Sequence, residues 1–331
     1  MAKHILKMTI KILFSAIISI VLLNGFVFFY LNTGVHVSDS TGSTDYRWEP
    51  YQRIYRMKEG FSFFRMDKNG YNNFITKDKD IDILLMGSSQ MEAQNINPKD
   101  NVASLLNTWF SDIYTYNIGI SGHTIYRCIS NMCDAVNTFS PRDMVILVID
   151  EIDLSIDEME KVITKQAERI PSYDSGLLYR IQKSIPAIKV LYKSIDEWKN
   201  IEISIVKDKN TSQCNDIEYR NKLEEMLYMG KQAVERAGCT FVIVYQPETS
   251  ITEKGIYNSV RDFEARRVFS EVCHALNIRY IDMTSVFEQY YNERHILAHG
   301  FANTAVGVGH LNTYGHRAIA EELAKLIKEN K

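Results

Sequence analysis

Between Ile12 and Leu31 the chain runs for 20 residues without a charge, and Ser15, Ser19 and Asn24 are its polar interruptions. At the rise of an α-helix such a run matches a bilayer core of roughly 30 Å. Buried helices of soluble domains rarely stay uncharged for this long. Lys3, Lys7 and Lys11 precede the run with no acid among them. The positive-inside bias therefore predicts a cytoplasmic N-terminus and a body on the other side of the membrane. A cleaved signal peptide is the competing reading. The run is long for a signal h-region, and residues 32–37 contain no Ala-x-Ala-like cleavage site, so an uncleaved single-pass anchor is expected.

The rest of the chain must carry the core. With 331 residues there is enough chain to bury one large domain without staples. A 45% hydrophobic content with 24% charged residues excludes both a disordered chain and a many-spanning membrane protein. The net charge of −3 argues against a nucleic-acid partner. Five cysteines with no Cys-x-x-Cys pair do not make a disulfide scaffold.

Residues 32–80 have no sustained period and read as a spacer outside the membrane, with packed aromatics at Trp48, Tyr51, Tyr55, Phe61, Phe63 and Phe64. Short apolar runs then recur at 82–87, 112–119, 143–149, 239–245 and 278–283. Helical patterns separate most of them: Leu223, Met226, Leu227, Gly230 and Val234 fall at helix spacing, with Gly238 as a stop. Strands alternating with helices imply parallel pairing through right-handed crossovers, hence a three-layer α/β/α sheet over 81–331. The stretch 151–215 is about twice as long as one crossover needs. Within this insertion Ile188, Leu191, Tyr192, Ile195 and Trp198 define an amphipathic helix. Packing on the domain edge, a lid, and a membrane or partner contact are all compatible with it.

In open α/β sheets the reactive groups gather at the carboxyl ends of the strands. The first such end reads Met86-Gly87-Ser88-Ser89-Gln90, a strand-to-helix turn that can expose a hydroxyl. The second reads Asn117-Ile118-Gly119-Ile120-Ser121-Gly122-His123-Thr124, where a main-chain N–H can face an oxyanion. Near the other end of the chain lies Gly309-His310-Leu311-Asn312, a loop histidine ahead of a helix. In this order the three blocks resemble the SGNH (GDSL-like) hydrolase family. The resemblance covers about 80–329 and implies a flavodoxin-like parallel sheet, with Ser89 as nucleophile, Gly122 at the oxyanion position and His310 as general base. It implies neither an organic cofactor nor a metal. His295 and His299 have i, i+4 spacing, but no Glu follows His295 as in zinc-binding helices.

Two positions depart from the family pattern. Ile152 stands where the third block usually places an oxyanion-donating Asn, and Gly307 stands where an acid usually precedes the histidine. The expectation is therefore a Ser89–His310 dyad with His310 oriented by a main-chain carbonyl, or else by a distant acid such as Glu151. His123, Gln90 and Asn303 are expected on the substrate side of the site. The family and the location together imply a serine esterase or O-acyltransferase acting on acetyl-like esters of a cell-envelope carbohydrate, with a membrane protein as an acyl-donor partner. The contrasting expectation is an inactive scaffold of an envelope polysaccharide machine.

Overall fold

The computed structural model describes residues 2–31, 36–38, 46–57, 59–165, 217–251, 257–259 and 263–329. The expected amphipathic helix at 188–198 and residues 166–215 of the insertion lie outside them. Helix α1 (Ala2–Leu31) contains a stretch, Lys3–Val27, long and apolar enough to cross a membrane. Two short antiparallel ribbons follow, β1 (His36–Ser38) with β2 (Tyr46–Trp48) and β3 (Arg53–Arg56) with β4 (Ser62–Arg65).

The central sheet contains β5 (Ile83–Gly87), β6 (Thr115–Asn117), β7 (Met144–Ile149), β8 (Thr240–Tyr245) and, after a small ribbon β9 (Thr249–Ile251) and β10 (Tyr257–Ser259), β11 (Arg279–Asp282). Its five strands are ordered β11-β8-β7-β5-β6, and every pairing is parallel. Counted along the chain this is 2-1-3-4-5, the flavodoxin-like order. Each strand of this sheet lies inside one of the apolar runs read from the sequence.

The alternation of a pleated strand divides the core in two. Leu84, Met86, Val145, Leu147, Phe241 and Ile243 point to one face. There they meet α4 (Ile125–Ser130), α5 (Met132–Phe139), α6 (Ile156–Ile163), α7 (Ile217–Arg236) and α8 (Phe263–Ala275). Ile83, Leu85, Ile146, Val148, Val242 and Val244 point to the other. That face is covered by α3 (Val102–Trp109), α9 (Thr284–Arg294) and α10 (Thr313–Glu329), while the one-turn helix α2 (Ser89–Glu92) caps the end of β5. Three layers result, as the alternating pattern predicts.

The segment read as a spacer is part of this body. Ile54 and Phe64, paired across the β3–β4 ribbon, bury with Trp48 and Met66 in a core of their own, and Tyr71 joins the main one. Tyr51, Phe61 and Phe63, expected to pack, are instead more than half exposed: Phe63 is the strand residue of opposite parity to Phe64, while Tyr51 and Phe61 lie just outside the two strands of the ribbon.

His299 and His316 are buried beside the loop that leads into α10. His299 Nε2 lies 2.8 Å from Gln246 Oε1, whereas neither ring nitrogen of His316 meets a partner among the described residues. His295 and His299 are not on one helical face: α9 ends at Arg294 and His295 adopts a positive φ. Burial pushes the His299 imidazole down to about 4 and that of His316 to about 3, with His310 adding charge repulsion to both. In the unfolded chain both would protonate near ~6.5. As pH falls below that value the unfolded state takes up protons that the folded state refuses, so stability is complete above it and declines towards the depressed values. Urea midpoints should fall across this window. His316→Leu should flatten the decline by about one proton, or ~1.4 kcal/mol per pH unit; an unchanged slope would show that His316 is charged in the folded state.

Candidate functional site

Ser89 sits at the first turn of α2, directly after β5. Ser88 caps that turn, its Oγ accepting from the Gln90 N–H at 3.4 Å and donating to Asp150 Oδ2 at 3.2 Å. From the far end of the chain, His310 places Nε2 3.0 Å from Ser89 Oγ. Its Nδ1 lies 2.7 Å from Glu59 Oε2, and its main-chain N–H donates to Glu59 Oε1 at 2.9 Å. Glu59 thus grips both the ring and the backbone of one residue. His310 and Glu59 side chains are 34% and 27% exposed, so the array is reachable from solvent yet largely sheltered.

The acid on His310 is therefore Glu59, from the turn between β3 and β4, rather than Glu151 or a main-chain carbonyl. Glu151 instead lines a cavity with Ser88, Ser89, Gly122, His123 and Asp150. Gly309 makes the Glu59 contact sterically feasible: its φ is +96°, and a Cβ there would stand 2.6 Å from Glu59 Oε1. At Gly60 a Cβ would lie 2.1 Å from the Asn95 carbonyl oxygen, so the turn can approach the body only with glycine.

Two residues assigned to the substrate side have another task. Asn303 Oδ1 accepts from the Gly60 N–H at 3.0 Å, and its Nδ2 donates to the Met57 and Gly60 carbonyls at 2.8 and 2.9 Å. It clamps the turn that carries Glu59. Gln90 Oε1 accepts from the Leu311 N–H at 2.7 Å, which ties α2 to the loop that carries His310. His123 is 3% exposed and lines the cavity, so it is not a surface residue.

The loop that carries Gly122 is held by a residue the sequence reading did not single out. Glu92, 1% exposed, accepts from the Ser121 N–H at 3.0 Å and from both the Ser121 hydroxyl and Trp48 Nε1–H. Burial pushes its carboxyl up, while these donors and nearby Arg56 favour the charged form. Asn117 adds a second brace, accepting from the Gly119 N–H at 2.9 Å and donating to the Met91 carbonyl at 2.7 Å. Gly122 follows at φ +84°, and among the described residues the N–H groups of Ser89 and Gly122 meet no acceptor. Ile152 is buried, and its carbonyl accepts from the Tyr219 hydroxyl at 3.1 Å. Asp150 is held above the ordinary carboxylate range by burial and by the charges of Glu151 and Glu248, against the Ser88 hydrogen bond. A signal for Glu92 existed in its i+3 position after Ser89; nothing local marked Glu59.

No protein-family model matches the chain, and no curated protein matches it. Solved structures similar to it include an acetyl xylan esterase (14% identity, TM-score 0.43, covering 74% of this chain and 98% of that one). A lipase/acylhydrolase from Enterococcus faecalis is similar at 16% identity and TM-score 0.42, covering 75% and 95%. A member of the lipolytic protein G-D-S-L family from Veillonella parvula is similar at 13% identity and TM-score 0.41, covering 74% and 97%.

The geometry separates the two candidate acids. Glu59→Gln should lower turnover of a small acetyl ester by up to about 10⁴, since it removes the carboxylate that fixes the imidazole and stabilises its charged form. Glu151→Gln should leave turnover within a few-fold, and the reverse ranking in steady-state assays would reject the assignment.

Glu92→Ala should act through kcat, by about 10²–10³, because it frees the loop that aims the Gly122 N–H. A loss expressed only as a raised KM would instead place Glu92 in ground-state binding.

Proposed function

We propose that the chain is a serine esterase or O-acyltransferase of SGNH type, anchored by α1 with its body outside the cytoplasm, that handles short acyl esters of a cell-envelope carbohydrate. The single observation that carries the reading is the array Ser89 Oγ, His310 Nε2 at 3.0 Å, and His310 Nδ1 on Glu59 at 2.7 Å. Nucleophile, base and orienting acid in this geometry are what acyl transfer requires.

His310 takes the Ser89 proton as Oγ attacks the acyl carbonyl, and Glu59 stabilises the imidazolium that forms. The N–H groups of Ser89 and Gly122 receive the developing oxyanion. His310 then returns the proton to the departing alkoxide, leaving Ser89 acylated. Water, or a sugar hydroxyl deprotonated by the same histidine, attacks the acyl-enzyme and frees Ser89. With Ile152 in the third block, two main-chain donors do this work without a side-chain amide. The cavity beside Ser89 measures about 210 Å³, below the usual range of pockets for drug-sized ligands, so it suits an acetyl-sized group better than a long chain. The carbohydrate and a membrane-protein acyl donor follow from the family resemblance together with Lys3, Lys7 and Lys11 ahead of the apolar helix.

A fluorophosphonate tests the chemistry without knowledge of the substrate. Intact-mass and peptide analysis should find one adduct, on Ser89, that is absent in Ser89→Ala and strongly slowed in His310→Ala. No adduct on the folded protein would turn the reading to an inactive scaffold of a polysaccharide machine.

A further inference from the structure

Helix α1 contacts the body at β3. Among its described side chains, burial is confined to Asn24, Gly25 and Val27, whereas Val21, Leu22 and Phe26 remain exposed. A strand in contact with the last turns of a membrane-spanning helix lies at the height where that helix leaves the hydrocarbon. The β3–β4 ribbon therefore sits at the bilayer surface, if α1 spans.

Its outward face has the matching chemistry. Tyr55 and Phe63 stack across the ribbon with centroids 4.7 Å apart, and Phe63 and Phe61 are 63% and 73% exposed. Beside that stack Arg53 is paired directly opposite Arg65, and both are exposed. Like charges directly opposite each other in a ribbon destabilise it, and among the described residues neither guanidinium has a carboxylate partner. An anion outside the chain would relieve that repulsion. A groove beside the ribbon combines Phe63 and Phe74 with Arg65 and Lys99, so apolar and cationic groups share one entrance. Aromatic rings and basic side chains together at headgroup depth suit an interfacial contact.

We infer that the outer face of the β3–β4 ribbon docks on the anionic lipid surface around α1, using Phe61 and Phe63 as interfacial wedges and Arg53 and Arg65 as phosphate contacts. This rests on the anchor reading above. Its consequence reaches the active site, because the turn between these two strands carries Glu59. The docked ribbon holds the Ser89–His310–Glu59 array at the membrane face, which favours an ester or acceptor presented there over one diffusing in bulk solvent.

The full chain, with Cys133 and Cys214 changed to Ser, should be labelled at Phe63→Cys with an environment-sensitive fluorophore and reconstituted in phosphatidylglycerol/phosphatidylcholine vesicles. A second preparation should carry the label at Tyr228→Cys on α7. Headgroup-region spin-labelled lipid should quench the label at 63 severalfold more than that at 228. Arg53→Gln with Arg65→Gln should reduce this quenching selectively in the phosphatidylglycerol vesicles. Water-like emission at 63 from a chain that stays in the vesicles after an alkaline wash would overturn the docking while leaving the anchor intact. Release by the wash would overturn the anchor, and the docking with it. A sheltered label that lipid does not quench would assign the face to a protein, or to a second copy of this chain, and overturn the lipid contact.

Discussion

One imidazole joins three distant parts of the chain. His310 is 221 residues from Ser89 and 251 from Glu59, and its ring is in hydrogen-bond contact with both. For these contacts to coexist, the end of β5, the loop before α10 and the turn of the β3–β4 ribbon must meet over one edge of the sheet. Much of the local structure answers that requirement. Asn303 holds the ribbon turn, Gln90 holds the histidine loop, and glycines stand where a Cβ would collide. Each contact contributes modestly by itself; together they reduce the freedom of three segments that would otherwise move independently.

The same logic links the site to the ribbon a second time. Trp48 and Ser121 donate to the two oxygens of the buried Glu92 carboxylate, so the strand that leads into the ribbon and the loop that offers the Gly122 N–H share one acceptor. A buried carboxylate is favourable only while its donors stay in place. Helix α2 is thereby braced from both sides: Glu92 holds the loop at Ser121, and Gln90 holds the loop at Leu311. The N-terminal ribbon is part of the candidate site, since its turn places Glu59 on His310.

Family resemblance of their blocks singled out Ser89 and His310; the sequence alone determined the apolar helix, the five parallel strands and the division of the body into three layers. These rest on signals that are local or periodic. An uncharged run of bilayer length, two-residue alternation, helix spacing and short Gly-Ser or Gly-His turns can be read without knowing what packs against them. Helix α7 is such a case, since Leu223, Met226, Leu227 and Val234 fall on one face by spacing and are all buried.

Tertiary structure decided the rest. Glu59 lies in a stretch with no period and no motif, and a carboxylate becomes an orienting acid only through the position of its turn in space. Asn303 has the donors and acceptor of a substrate-binding residue, but the backbone of the ribbon turn claimed both ends of its amide, and the Leu311 N–H claimed the Gln90 Oε1. Phe63 read as core by composition and proved exposed, because parity in a ribbon is set by which face meets the body. Composition states which groups are available, whereas their partners are set by contacts across more than two hundred residues, which no local pattern encodes.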